Sequence, residues 1–188
     1  AIELDPDDAK AYVNRGAAYA DLHEYKRAIE DFDRAIELDP AHPTAYYNRG
    51  IAYAALQEYE QAIEDYGRAI ELDPEYAQAY NNRAATYVAL QEYEQAIEDY
   101  GRAIELDPEN AQIYNNRGDL YVALHDYERA IDDYDRAIDL GSKNARVYYN
   151  RGVLCARLYN YERAIDDYGC AIELDPDDAK AYVNRGAA

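Results

Sequence analysis

The sequence predicts an all-α fold, a solenoid of stacked helical hairpins, on three observations. The first is a period of 34 residues. Tyr12, Tyr46, Tyr80, Tyr114, Tyr148 and Tyr182 are evenly spaced, and an Asn-Arg pair follows each, from Asn14-Arg15 to Asn184-Arg185. The second is a pair of helix-spaced apolar stripes inside each period. The third is an Asp-Pro stop near the end of every period but the fourth. A repeat of this length is one supersecondary unit that cannot bury its apolar face alone, so stability and function both come from stacking.

The first helix of the first full repeat carries Tyr12, Arg15, Gly16, Tyr19 and Leu22 at helical spacing on one face. A short turn at His23-Glu24 follows. The second helix carries Tyr25, Ala28, Ile29, Phe32, Ala35 and Ile36, the apolar stripe of an amphipathic helix. Asp39-Pro40 ends it, because proline lacks the amide donor and pushes the preceding residue toward extended geometry. The same stop recurs at 73–74, 107–108 and 175–176, while the fourth repeat turns at Gly141-Ser142 instead. The repeats therefore fall at about residues 9–42, 43–76, 77–110, 111–144 and 145–178 of a single array over 1–188, with partial repeats at 1–8 and 179–188. Gly16, Gly50, Ala84, Gly118 and Gly152 leave room for close helix approach, and Tyr25, Tyr59, Tyr93, Tyr127 and Tyr161 supply bulk.

Charge narrows the partners. There are 39 acidic residues against 19 basic, a net charge of −20. Such a surface repels phosphate backbones, which argues against nucleic acid and favours neutral or basic partners. No run of 18 apolar residues is present, so no membrane span is expected, and no signal peptide stands at the N-terminus. Two cysteines make no disulfide framework and point to a reducing compartment, here read as cytoplasmic. The absence of methionine marks the sequence as a fragment or a processed chain.

Taken together, the aromatic at Tyr12, the small residue at Gly16, the aromatic at Tyr19, then Ala28, Phe32, Ala35 and Pro40, with equivalents in each repeat, resemble the tetratricopeptide repeat. The resemblance covers essentially the whole chain. It implies a right-handed superhelix of antiparallel helix pairs that serves as a protein-interaction scaffold. The chain departs from the family at Arg15 and its copies, where leucine is usual.

Tetratricopeptide arrays line a concave groove with the second face of each first helix. Here that face carries Lys10, Asn14, Ala17 and Asp21. Its asparagine recurs as Asn14, Asn48, Asn82, Asn116 and Asn150, while Tyr47, Asn81, Asn115 and Tyr149 vary beside it, as do Ala17, Ile51, Ala85, Asp119 and Val153. A carboxamide both donates and accepts, so a constant amide row suits the backbone of an extended peptide, and variable neighbours suit its side chains. This resembles the asparagine ladder with which some tetratricopeptide superhelices hold peptides. The alternative is that each asparagine bonds the neighbouring repeat. The family's grip on a C-terminal carboxylate is missing, since Ala17 and Gln78 stand where an asparagine and a lysine are needed.

The arginine row, Arg15, Arg49, Arg83, Arg117 and Arg151, shares the packed stripe and must be paired. Asp31, Asp65, Asp99, Asp133 and Asp167 are the expected partners. Cys155 takes a core tyrosine's place and is expected to be inert, whereas Cys170 is expected to be exposed. His23 and His125 sit in turns and His42 in a linker, with no metal-ligand spacing. No cofactor, metal or catalytic set is expected, and the chain is read as a non-enzyme. Finally, residues 1–18 recur letter for letter as 171–188. Open apolar seams at Ile2, Leu4 and Tyr182 then suggest a second function, head-to-tail stacking of copies into a superhelical filament.

Overall fold

The computed structural model describes residues 7–187, and all its regular elements are helices. They group into two compact units that meet in sequence between Leu106 and Asp107. The first unit contains α1 (Ala9–Asp21), α2 (Tyr25–Leu38), α3 (Pro43–Ala55), α4 (Tyr59–Leu72), α5 (Ala77–Ala89) and α6 (Tyr93–Leu106). The second contains α7 (Ala111–Ala123), α8 (Tyr127–Asp139), α9 (Ala145–Arg157), α10 (Tyr161–Leu174) and α11 (Ala179–Ala187). Within each unit every helix packs on the next in sequence, so both are stacks of antiparallel helical hairpins, the α-solenoid arrangement. The seam expected at Ile2 and Leu4 lies outside the described residues.

Helix boundaries follow the local chemistry. Asp8, Asn110, Asn144 and Asp178 accept the amide two residues on, at 2.9–3.2 Å, and so cap α1, α7, α9 and α11. At the Asp-Pro stops the second helices end on Leu38, Leu72, Leu106 and Leu174. At the irregular stop Gly141 takes a φ of +80°, and Ser142 N–H closes back onto the Ala137 carbonyl at 3.1 Å. This is the left-handed helix ending that glycine permits. Each hairpin turn also uses a left-handed residue, but none is glycine: His23, Gln57, Gln91, His125 and Tyr159 all lie at φ 59–64°.

The core corrects one detail of the sequence reading. The side chains that fill the glycine row are Phe32, Tyr66, Tyr134 and Tyr168, all deeply buried, not the tyrosines that open the second helices. Tyr25, Tyr59, Tyr93 and Tyr127 are only half-buried, and Tyr161 is exposed. A Cβ on Gly16 would stand 2.6 Å from the Phe32 ring. Burying such a ring stabilises the fold by on the order of 2 kcal/mol. Leu22 also departs from its expected packed stripe. Helix α1 stops at Asp21, which leaves Leu22 as its C-cap and 66% exposed.

Candidate functional site: a polar row on the first helices

The arginine row is structural throughout the described full repeats. Arg15, Arg49, Arg83, Arg117 and Arg151 each fork onto the carboxylate 16 residues on, at 2.5–3.0 Å. The accepting aspartates Asp31, Asp65, Asp99, Asp133 and Asp167 are all buried. Planar guanidinium suits this bidentate contact. The rings of Tyr80 and Tyr87 flank Arg83, 5.7 and 6.0 Å from its guanidinium carbon. Arg49 and Arg151 have a second carboxylate, because Asp33 and Asp135 reach them at 2.5 and 2.6 Å from the preceding second helix. Gly67 occupies that row before Arg83, and a Cβ there would lie 3.6 Å from Arg83 Nη1.

The asparagine row is built on the other face of the first helices. Asn14 is exposed, and Asn48, Asn82, Asn116 and Asn150 are half-buried. Their amides are partly engaged within the chain. Asn82 Nδ2 donates to Tyr47 Oη at 3.0 Å, and Asn81 Nδ2 donates to Asn82 Oδ1 at 3.0 Å. The same link recurs 102 residues on, where Asn184 Nδ2 donates to Tyr149 Oη at 3.1 Å. Asn116 Oδ1 accepts from Gln112 at 2.7 Å. Asn150 differs, donating to Asp119 Oδ1 at 3.0 Å and to Tyr134 Oη at 3.4 Å.

The variable row is a packing row as much as an open one. The Tyr47 ring packs tilted against Tyr76 at 4.8 Å and against Tyr66 at 6.0 Å, and Tyr149 lies 6.0 Å from Tyr168. Asn81 is half-buried, and Asn115 is only 5% exposed. Burial pushes the Tyr47 phenol above its ordinary value, and Tyr76 is pushed up to about 12, mainly by burial. In the first unit this face encloses an open groove of about 350 Å³ between α3, α4 and α5. Ile51, Ala54, Tyr66, Ala85 and Ala89 line it, with Asn82 among them. The repeat pattern points to the asparagines but not to Asp119. Its signal was present: Asp119 is the one charge in the row Ala17, Ile51, Ala85, Asp119, Val153.

The remaining candidates are quieter. Cys155 is buried, and burial pushes its thiol up, away from the reactive thiolate. Cys170 is half-buried rather than exposed. His42 caps α3 without a side-chain bond. Among the described residues no group of His, Cys, Asp and Glu is placed to hold a metal. Among them, too, no helix is long and apolar enough to cross a membrane.

Comparison with known proteins gives the same architecture. Profiles described as tetratricopeptide repeat match residues 9–42, 43–76, 66–98 and 115–179, and one described as TPR repeat matches 85–124. No curated protein sequence matches. Among solved structures, the chain is similar to YrrB, described as a TPR protein with an unusual peptide-binding site. The two share 25% identity and a TM-score of 0.75, over 98% of this chain and 95% of that one. It is also similar to PilF of Pseudomonas aeruginosa, at 20% identity and a TM-score of 0.86 over 94% and 80% of the two chains. A fragment of MamA from Desulfovibrio magneticus RS-1 is similar at 20% identity and a TM-score of 0.79, over 91% and 97%. The profile matches run from residue 9 to residue 179, and the chain belongs to the tetratricopeptide-repeat family.

Proposed function

We propose that this chain is a non-catalytic scaffold that holds an extended segment of a partner protein along the asparagine row. Tetratricopeptide folds are protein-interaction scaffolds, and the similar chain YrrB is described as having a peptide-binding site. The observation that carries the reading is Asn82 at the edge of an open, largely apolar groove. Its amide gives one N–H to Tyr47 and receives one from Asn81. A carboxamide has two N–H groups and two lone pairs, so one donor and one acceptor are left for a peptide bond. The internal bonds fix its orientation, which lowers the entropy lost on binding. Asn14 and Asn48 continue the row in the first unit, where Tyr47 and Asn81 differ beside it, and Asn116 and Asn150 form the row of the second, beside Asn115 and Tyr149. The net charge of −20 favours basic or neutral segments and steers the basic ones by attraction.

The test is selection of peptides from a display library on the intact chain, followed by fluorescence anisotropy with the winner. Asn82→Ala should weaken binding about tenfold, the loss of one or two hydrogen bonds, and shift melting only slightly. A selection that enriches no consensus, or a variant that melts early yet binds normally, would sink the reading.

In a second reading, copies of the chain stack head to tail. It is supported by the recurrence of residues 1–18, letter for letter, as 171–188. Sedimentation across a wide concentration range tests it, with constant monomer mass the contrary result.

A further inference from the structure

The second unit breaks the asparagine pattern at one place, and the break leaves a buried atom without a partner. In two other repeats the asparagine donates to the residue 35 positions earlier, Asn82 to Tyr47 and Asn184 to Tyr149. By that pattern Asn150 should serve Asn115. Instead Asp119 draws the Asn150 amide to itself at 3.0 Å, and Asn115 Oδ1 is buried with no donor. A buried carbonyl without a hydrogen bond has lost its bond to water and gained nothing in exchange, so native proteins seldom leave one without a reason.

The carboxylate that causes this is itself held ready. Tyr134 Oη donates to Asp119 Oδ1 at 2.6 Å, beside the Asn150 amide. Its other oxygen, Oδ2, accepts from the guanidinium of Arg146, at the start of α9. The Arg146 side chain is 65% exposed, so this pair lies at the surface and is weak. Asp119 stands one turn after Asn115 on α7, the spacing that places two side chains on the same helix face. The set is thus a fixed carboxylate oxygen, a loosely held cation and an unserved carbonyl, side by side on the face that carries the asparagine row.

We propose that Asp119 and Asn115 form a subsite for one cationic side chain, a lysine ammonium or an arginine guanidinium, carried by the bound segment, with Arg146 keeping the place in its absence. The proposal rests on the groove reading above and adds the chemistry of the ligand. Lysine and arginine supply several N–H donors and accept none, which matches the two acceptors, Asp119 Oδ2 and Asn115 Oδ1. The overall negative charge draws such a side chain in.

The test uses the intact, isotope-labelled chain and three small probes: the Nα-acetyl N-methylamides of lysine, arginine and norleucine. The side-chain amide signals of Asn115 and Asn150 should move with the two cationic probes and stay still with norleucine. Arg146→Ala removes the internal competitor and should tighten the lysine probe about threefold, the worth of one exposed ion pair. Asp119→Asn should abolish the response. Equal shifts with norleucine overturn the proposal, as do affinities that Arg146→Ala leaves unchanged or lowers. Silence with all three probes also overturns it and leaves a buried water as the partner of Asn115. Should Asp119→Asn fail to fold, Arg146→Ala still decides, because that side chain is exposed. Probes that bind while library selection enriches nothing would support the subsite and reject the groove. Selected peptides indifferent to Asp119→Asn would do the reverse.

Discussion

Arg83 and Asp99 are joined by two hydrogen bonds, and the carboxylate has lost nearly all contact with water. Leucine, the usual family residue at the Arg83 row, would pack between Tyr80 and Tyr87 but strand that carboxylate. Arg83→Leu should therefore cost on the order of 3 kcal/mol, with leucine packing offsetting part of it. A double-mutant cycle with Asp99→Asn, read by urea denaturation, should show coupling, and additive losses would dismiss the pair. The repeats also contain their own comparison. Asp33 and Asp135 give the next arginine a second carboxylate, while Gly67 gives Arg83 none. Gly67→Asp should stabilise the chain by about 0.5–1 kcal/mol more than Gly67→Asn, since the two differ mainly in charge. That margin should shrink in high salt, and equal stability of the two variants would count against it.

Helix α3 starts without a side-chain cap, as α2, α4 and α5 do. Its N-cap residue His42 makes no side-chain capping bond, and its Nδ1 is buried without a partner. Asn110 and Asn144 cap the equivalent helices α7 and α9. His42→Asn should add such a cap and raise stability by about 1 kcal/mol, visible as a few degrees in Tm. An unchanged or lower Tm would mean that the imidazole contributes packing that the cap cannot replace. Helices, turns and stops were legible in the sequence because each rests on local chemistry repeated several times. Aspartate and asparagine caps, proline stops and stripe spacing all act within a few residues. The Arg–Asp pairing was legible too, since a buried charge demands a partner. Less legible was which ring fills the glycine row. Tyr25 and Phe32 sit on the same stripe, one repeat period hides the difference, and only three-dimensional packing separates them. The Asp119 node was missed for a related reason: one acid in a variable row says nothing until Tyr134, Arg146 and Asn150 meet it.

For the molecule as a whole, 23 tyrosines set the alkaline limit. Burial raises Tyr47, Tyr53, Tyr66, Tyr76, Tyr87, Tyr134 and Tyr168 above the ordinary phenol value. A group with a raised folded pKa supports the fold fully below its unfolded value, near 10, and loses that support as pH climbs toward the folded one. Stability should therefore fall from about pH 10 upward, with Tyr76 titrating in the folded chain only near 12. Phenolate absorbance followed against helix content by circular dichroism checks this. Ionisation of all the tyrosines at the free-phenol pH with the helices intact would be the contrary result. On the acid side Asp135 behaves oppositely. Burial alone would raise it, but Arg163 and Arg151 outweigh that and hold it below the ordinary carboxylate value. Its contribution is present above about pH 4 and disappears as pH drops through the folded value. The left-handed residues of the hairpin turns have a consequence on this scale as well. His23, Gln57, Gln91, His125 and Tyr159 each hold a backbone shape that ordinary side chains resist at a cost of about 1–2 kcal/mol. One such residue sits in each repeat, so the chain carries an unspent reserve at five places. Selection for heat tolerance would find five single steps, glycine or asparagine at each turn, with less to gain at His23 and His125, whose rings bond Tyr25 and Tyr127.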